Sequence, residues 1–344
     1  MGEEEPSANP LGPGSGLRFL FATFLMAVAL YLARVVFEPI TFALFAVALV
    51  WPFQKALKAR LPKAVALGLT ILLALLVMLA VAAAIVWSVD EVVYWTLANL
   101  ARFQSLYTRW ADWLEGYGIH IAEGLAQYDT RAFIGLLHAV ASRANYFVGF
   151  CVVVFLLLTF ALTELDSFRA RLDALAPEIG WDSSRTAAEI AGKIRRYMLI
   201  RTLASVLTGL AVFVFTISIG MDLAVAWGII SFVLNYIPYL GPLIAVVLPV
   251  LFASVQFESW QMVIIIFGGL YLIQFLIGSY LEPIIAGRAL AISPLVMLVA
   301  FFFWAFLWGV PGAFIGIPVT IALLTVCEQH PALNRLARLC SAPD

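Results

Sequence analysis

The sequence predicts an all-α, polytopic membrane protein of about eight hydrophobic segments, two of them long, broken by Gly and Pro, and folded as re-entrant hairpins. Three observations carry that expectation. Apolar residues fill 64% of the 344 positions and charged residues 12%, with a mean hydropathy of +1.02, more apolar surface than a water-soluble globule can bury. The charges are gathered into a few connecting segments, so that between Arg201 and Glu328 only Asp222, Glu258, Glu282 and Arg288 interrupt the apolar run. Finally, the segments 223–257 and 289–327 are both well beyond the roughly 20 residues one spanning helix needs, and both carry Gly/Pro clusters near their middles.

Residues 1–16 are acidic and rich in Pro and Gly, and read as a disordered cytoplasmic tail. Residues 17–89 form a three-span scaffold. Leu17 to Phe37 and Ile40 to Phe53 make a tight hairpin turned at Glu38-Pro39, and Ala64 to Val89 is the third span. Lys55, Lys58, Arg60 and Lys63 crowd the loop between the second and third spans, which the positive-inside rule places in the cytoplasm.

From 90 to 143 polar and apolar residues mix at helical spacing; external amphipathic helices are expected, interrupted at Gly116 and Gly118, either at the membrane interface that Trp95, Trp110 and Trp113 suit or as a small helical cap packed on itself. Ala144 to Thr163 is the fourth span. The basic segment 164–201 is expected as cytoplasmic amphipathic helices, one capped by Asp182 or Ser183, with Arg201 as a positive-inside anchor and a ligand role as its alternative. A core follows at 202–327, and 328–344 is a cytoplasmic C-terminal tail.

Within that core the first break reads Asn235-Tyr236-Ile237-Pro238-Tyr239-Leu240-Gly241-Pro242, and the second Trp308-Gly309-Val310-Pro311-Gly312-Ala313-Phe314-Ile315-Gly316-Ile317-Pro318. Each proline removes a backbone donor and pushes the preceding residue out of the α region. Unravelled backbone at membrane depth is tolerated only inside protein or beside a wet cavity, so the breaks predict a site or a gate. Pro238, Gly241, Pro242, Gly309, Pro311, Gly312, Gly316 and Pro318 are the expected hinge or hairpin-tip residues; Gly312 and Gly316 also form a small-xxx-small pair that suits close packing. Two interrupted segments around one ordinary span point to a transporter site, and kinked spans are the alternative to hairpins.

Asn235, Tyr236, Gln274, Glu282 and Ser293 are the expected substrate or ion pathway. Uncharged hydrogen-bonding groups suit a hydroxylated solute or a cation held by carbonyls, with helix-to-helix hydrogen bonding as the plain reading; Ser279 and Tyr280 take the plain reading. Glu282 is a candidate proton or cation carrier, or else a boundary carboxylate paired with Arg288. Asp222 reads as a turn residue. His120, His138 and His330 lie apart from one another and from Cys151, Cys327 and Cys340, so no metal site or disulfide framework is expected. No nucleotide-cradling or hydrolase motif appears, and a net charge of −1 gives no footprint for nucleic acid. The expectation is a non-enzyme that needs no cofactor, with H+ or Na+ as coupling ion. A non-transporting scaffold or receptor is the competing class.

The ordered set formed by the first break, by Gln274 through Tyr280-Leu281-Glu282-Pro283 to Gly287, by Ile292-Ser293-Pro294-Leu295, and by the second break resembles the autoinducer-2 exporter family, including its permease-like branch. The resemblance extends to Arg195 through Thr202 and loosely over the first three spans. It does not reach 90–143. It implies a bacterial inner-membrane transporter that assembles as a homo-oligomer, a pentamer being the expected count. Members export autoinducer-2 or exchange sodium or lithium for protons, so the resemblance implies a small hydrophilic solute moved by alternating access, with antiport as the alternative.

Overall fold

The computed structural model describes residues 15–117, 130–179, 183–286 and 293–329. The N-terminal tail before Ser15, Gly118, His120, Asp182, Gly287, Arg288, Ile292, His330, Cys340 and the C-terminal tail from 330 lie outside the described residues.

Every described element is helical. In chain order they are α1 (Ser15–Leu32), α2 (Arg34–Lys58), α3 (Lys63–Ala98), α4 (Leu100–Glu115), α5 (Thr130–Ile179), α6 (Ser183–Ser218), α7 (Ala224–Leu234), α8 (Leu240–Phe257), α9 (Trp260–Phe275) with a π-helical turn (Leu276–Leu281), α10 (Glu282–Ala286) and α11 (Pro294–Gln329). Among the described residues seven helices are long and apolar enough to cross a membrane, and Ala224–Leu234 is a shorter apolar one.

Several boundaries differ from the sequence reading. The expected turn at Glu38-Pro39 lies inside α2, and the break falls at Ala33. Helical hydrogen bonding runs across it, from the Ala33 amide to the Ala29 carbonyl (2.9 Å) and from the Phe37 amide to the Ala33 carbonyl (3.1 Å). The pair is therefore a bent rod instead of a tight hairpin. Residues 90–98 continue α3, so the amphipathic helix starts only at Leu100. The fourth span and its flanks form one helix of 50 residues. At 1.5 Å per residue it is about 75 Å long and must project beyond a bilayer core. Hydropathy marks where lipid contact ends, whereas the stretch from Phe150 to Ala176, which holds no Gly or Pro, keeps the helix going past that point.

α6 is the post of the fold. Its 36 residues run unbroken through Arg201, which was expected at a surface boundary and instead lies about 26 Å from either end, only 8% exposed. Toward the Ser218 end, Val212 packs with Met221 of the following turn and with Trp227, Val246, Ala253, Ile266 and Leu270 from the first broken segment and α9. Toward the Ser183 end, Ile194, Tyr197 and Met198 pack with Phe45 of α2 and with Ile317 and Ile321 of α11. A separate cluster of Val47, Ala74, Leu158 and Leu162 ties α2, α3 and α5 together.

Candidate functional site: two opposed hairpins meeting at an ion pair

Both broken segments fold back on themselves. In the first, Gln256 accepts from the Asp222 amide at 2.9 Å and donates to the Gly220 carbonyl at 3.0 Å. In one straight helix, residues 34 apart would stand about 51 Å from each other. Trp227 and Phe252 accordingly pack edge to face across the pair, with ring centroids 4.9 Å apart. The backbone is bent where the hairpin begins, turns and ends: among described residues the non-Gly positive-φ positions are Leu223 (φ 62°), Tyr239 (φ 62°) and Glu258 (φ 49°). Such conformations persist only where surrounding packing enforces them. The turn spans 235–239, with Pro238 buried in it, and Gly241 and Pro242 sit in the first turn of α8, where a missing N–H costs little. A β-carbon at Gly241 would overlap the Leu234 carbonyl oxygen, so only glycine lets the two limbs come this close.

The second hairpin repeats the device. Its break is Gly309 (φ 63°, ψ −137°), and Pro311 and Gly312 begin the returning limb. The Trp304 indole N–H donates to Thr320 Oγ1 at 3.1 Å across the hairpin, although 16 residues of straight helix would separate them by about 24 Å. A β-carbon at Gly312 would overlap the Trp304 carbonyl oxygen, and one at Gly316 would crowd the Trp304 side chain (2.8 Å). Gly316 and Pro318 thus lie on the returning limb, away from the break. For Gly316 the close-packing reading is the one its surroundings fit.

The hairpins enter from opposite ends of α6. The first starts beside the Ser218 end, and its limb descends with Gly228 against Gly209 and Asn235 Nδ2 donating to Ser205 Oγ at 3.2 Å. The second is tied to the Ser183 end, where Lys193 Nζ reaches Glu328 Oε2 at 2.7 Å and Thr325 Oγ1 at 3.1 Å. Their inner parts meet beside the middle of α6: Tyr236 stacks on Phe314 (5.1 Å between centroids), and Tyr239 meets Phe301 (6.0 Å). The Tyr236 hydroxyl also hydrogen-bonds Thr202 Oγ1 at 2.9 Å.

At this level Arg201 Nη1 donates to Glu282 Oε1 at 2.7 Å and to Oε2 at 2.8 Å, with side-chain exposures of 10% and 24%. Glu282 is carried there by α9 and its π-helical turn, a geometry that often accompanies functional sites. Tyr197, one helical turn before Arg201 on the same face, is buried, and its hydroxyl lies within hydrogen-bonding reach of the Arg201 guanidinium. The Tyr239 ring lies within electrostatic reach of both.

The sequence profile of the AI-2E family transporter matches residues 20–332. The chain belongs to the AI-2E transporter family. It is similar to the AI-2 transport protein TqsA of Escherichia coli K12, 24% identical over 342 residues that cover 97% of this chain and 98% of TqsA. It is also 36% identical over 203 residues to a Borreliella burgdorferi protein named "Putative transport protein", a match spanning 57% of this chain and little more than half (56%) of that protein. With Bacillus subtilis YrrI the identity is 27% over 230 residues, 64% of this chain and 62% of the relative.

Of the residues expected in the pathway of this AI-2E family member, Asn235, Tyr236 and Glu282 come together around the middle of α6. Gln274 is buried on α9, two turns before Glu282, with Nε2 unpartnered. Ser293 is half-buried at the start of α11, where its carbonyl accepts from the Met297 amide, and no described hydrogen bond joins it to the cluster. Ser279 and Tyr280 are exposed. Asp222 is an exposed turn residue bound by Gln256 and by the Trp95 indole N–H at 3.0 Å. The sequence reading missed Tyr197, Ser205, Tyr239 and the partner of Glu282. One signal was available: Lys193, Tyr197 and Arg201 recur every four residues, so that an arginine continues a helical stripe into an apolar run.

Proposed function

We propose that this protein moves a small hydrophilic solute across the bacterial cytoplasmic membrane by alternating access, with the two hairpins as opposed gates. The observation that carries the reading is the meeting of hairpins from opposite ends of α6 beside the part-buried Arg201–Glu282 pair. Broken helices entering a common mid-depth site from opposite faces are the structural means by which secondary transporters expose one site to each side in turn. The Ser183 end faces the cytoplasm in this reading. Lys58 there pairs with Asp166 at 2.8 Å, which brings the basic loop between α2 and α3 beside the basic end of α5.

An AI-2-type signal is the first solute to test, because TqsA is named for transporting AI-2. Cation antiport through Glu282 is less favoured: the Arg201 guanidinium already occupies both carboxylate oxygens, and a sodium ion would have to displace it. The subunits assemble as a homo-oligomer, for which exposed rings such as Phe267, Tyr271 and Phe275, stacked along α9, offer a lipid-facing or subunit-facing surface. Proteoliposomes holding the purified protein test the proposal. AI-2 flux without sodium-linked pH change supports it; sodium-driven proton movement that Glu282→Gln abolishes, with no solute flux, supports antiport instead.

A further inference from the structure

Positive charge gathers where α2, α3 and α5 meet, at the end of the scaffold that carries the basic loop. No acidic residue occurs between Glu38 and Asp90, while Lys55, Lys58, Arg60 and Lys63 crowd the end of α2 and the start of α3. α5, packed against α2, adds Arg169 and Arg171. Of these cations only Lys58 makes an ion pair among the described residues, with Asp166 at 2.8 Å. Half-buried Trp51 draws two of them together: Lys58 Nζ stands 5.0 Å and Arg169 Cζ 5.4 Å from the centroid of its ring. The two charges come from different helices and lie within about 10 Å of each other. An indole face attracts a cation but cancels no charge, so the cluster keeps a positive field that Asp166 only partly offsets. Exposed apolar side chains neighbour the same residues in the chain: Phe53 on α2, Leu61 and Val65 around the α2–α3 turn, and Phe168 on α5.

We infer that this cluster binds an anionic glycerophospholipid of the cytoplasmic leaflet, with its phosphate on Arg169 and Lys58 and its acyl chains along the exposed apolar residues of α2 and α5. The unpaired Arg169 guanidinium offers parallel N–H donors that match two phosphate oxygens, and the Lys58 ammonium adds a point charge. A loop that only had to stay in the cytoplasm would need basic residues there, but not two cations from separate helices converging on one ring. The lipid source follows from position. Tryptophan favours the membrane–water boundary, the apolar runs of α2 and α5 end here at Lys55 and Glu164, and basic pockets between spanning helices on the cytoplasmic side suit anionic headgroups. A bound lipid bridges α2 and α5 beside the Lys58–Asp166 tie, so the site belongs to the scaffold and is separate from the one at the middle of α6.

Native mass spectrometry of the full-length protein in a neutral maltoside detergent, titrated with dioleoyl phosphatidylglycerol or dioleoyl phosphatidylcholine, tests the site. Saturable binding of phosphatidylglycerol is expected, about tenfold tighter than that of phosphatidylcholine. Arg169→Gln, at an exposed position, should raise the phosphatidylglycerol Kd about fivefold, and Lys58→Gln at least as much. Asp166→Asn removes the competing carboxylate and should tighten binding about fivefold, a gain that mere loosening of the α2–α5 contact would not give. Arg109→Gln, at the other end of the protein where Arg109 pairs with Glu258, should leave the affinity unchanged. Equal affinity for the two lipids, undiminished binding in both Arg169→Gln and Lys58→Gln, or equal weakening by Arg109→Gln would each overturn the inference. Displacement of the lipid by millimolar glycerol 3-phosphate would overturn it too, by making the site one for a soluble anion.

Discussion

Neutralising Glu282 isolates what the ion pair contributes. Arg201 is about nine-tenths buried, and its Nη1 has both Glu282 oxygens within 2.8 Å. In Glu282→Gln the guanidinium remains at mid-depth opposite an amide, and removing one partner of a buried pair costs about 3–5 kcal/mol. Exposure of Glu282, at 24%, places the expected loss near the lower figure, about 3 kcal/mol. Arg201→Met should cost a similar amount by leaving the carboxylate alone. The double variant Arg201→Met/Glu282→Leu removes both charges, and its stability should return to within about 1 kcal/mol of wild type. Unfolding midpoints of the four proteins in one detergent give the cycle, and solute flux in proteoliposomes should stay lost in the double variant although its stability recovers. Additive losses in the double variant would refute the reasoning, because they would mean that the two charges do not act on each other.

Gly241→Ala and Gly312→Ala each place a β-carbon on a carbonyl oxygen of the opposing limb, so both should abolish flux and lower the unfolding midpoint, while Gly268→Ala, in open space, should do neither. Tyr236→Phe keeps the ring on Phe314 but loses the bond to Thr202; a stability loss of about 1 kcal/mol with altered transport rate is expected, measured by the same two assays. Lys193→Met removes the ties from α6 to Glu328 and Thr325, and hydrogen exchange at 320–329 should accelerate while exchange at 224–234 stays unchanged.

The breaks were legible because proline and glycine act locally: the lost donors at Pro238 and Pro311 and the limb contacts at Gly241 and Gly312 need no knowledge of distant residues. The fold-back itself was inferred from segment length and two local clusters, and Gln256 against Gly220 and Asp222 is its structural counterpart. The partner of Glu282 was not legible. Arg288 is six positions away in sequence, whereas Arg201 is 81 positions away and comes near only through the packing of α6 against α9. Charge-based topology also misplaced Arg201, since the rule that explains basic loops gives an arginine at an apolar boundary a ready surface role. Helix lengths were hidden for a related reason: hydropathy falls at Glu164, but nothing there stops the α-helix, and α5 continues to Ile179.

Side-specific labelling of cysteines at the hairpin bases tests the inverted pair most directly. In a background with Cys151, Cys327 and Cys340 replaced, Asp222→Cys and Glu258→Cys mark the two ends of the first hairpin, and Pro294→Cys and Gln329→Cys those of the second. The account predicts that an impermeant thiol reagent applied outside cells reaches both members of the first pair and neither of the second, with the reverse in inside-out vesicles. Asp222→Cys and Glu258→Cys labelled from opposite sides would make the first segment a spanning helix and contradict the account.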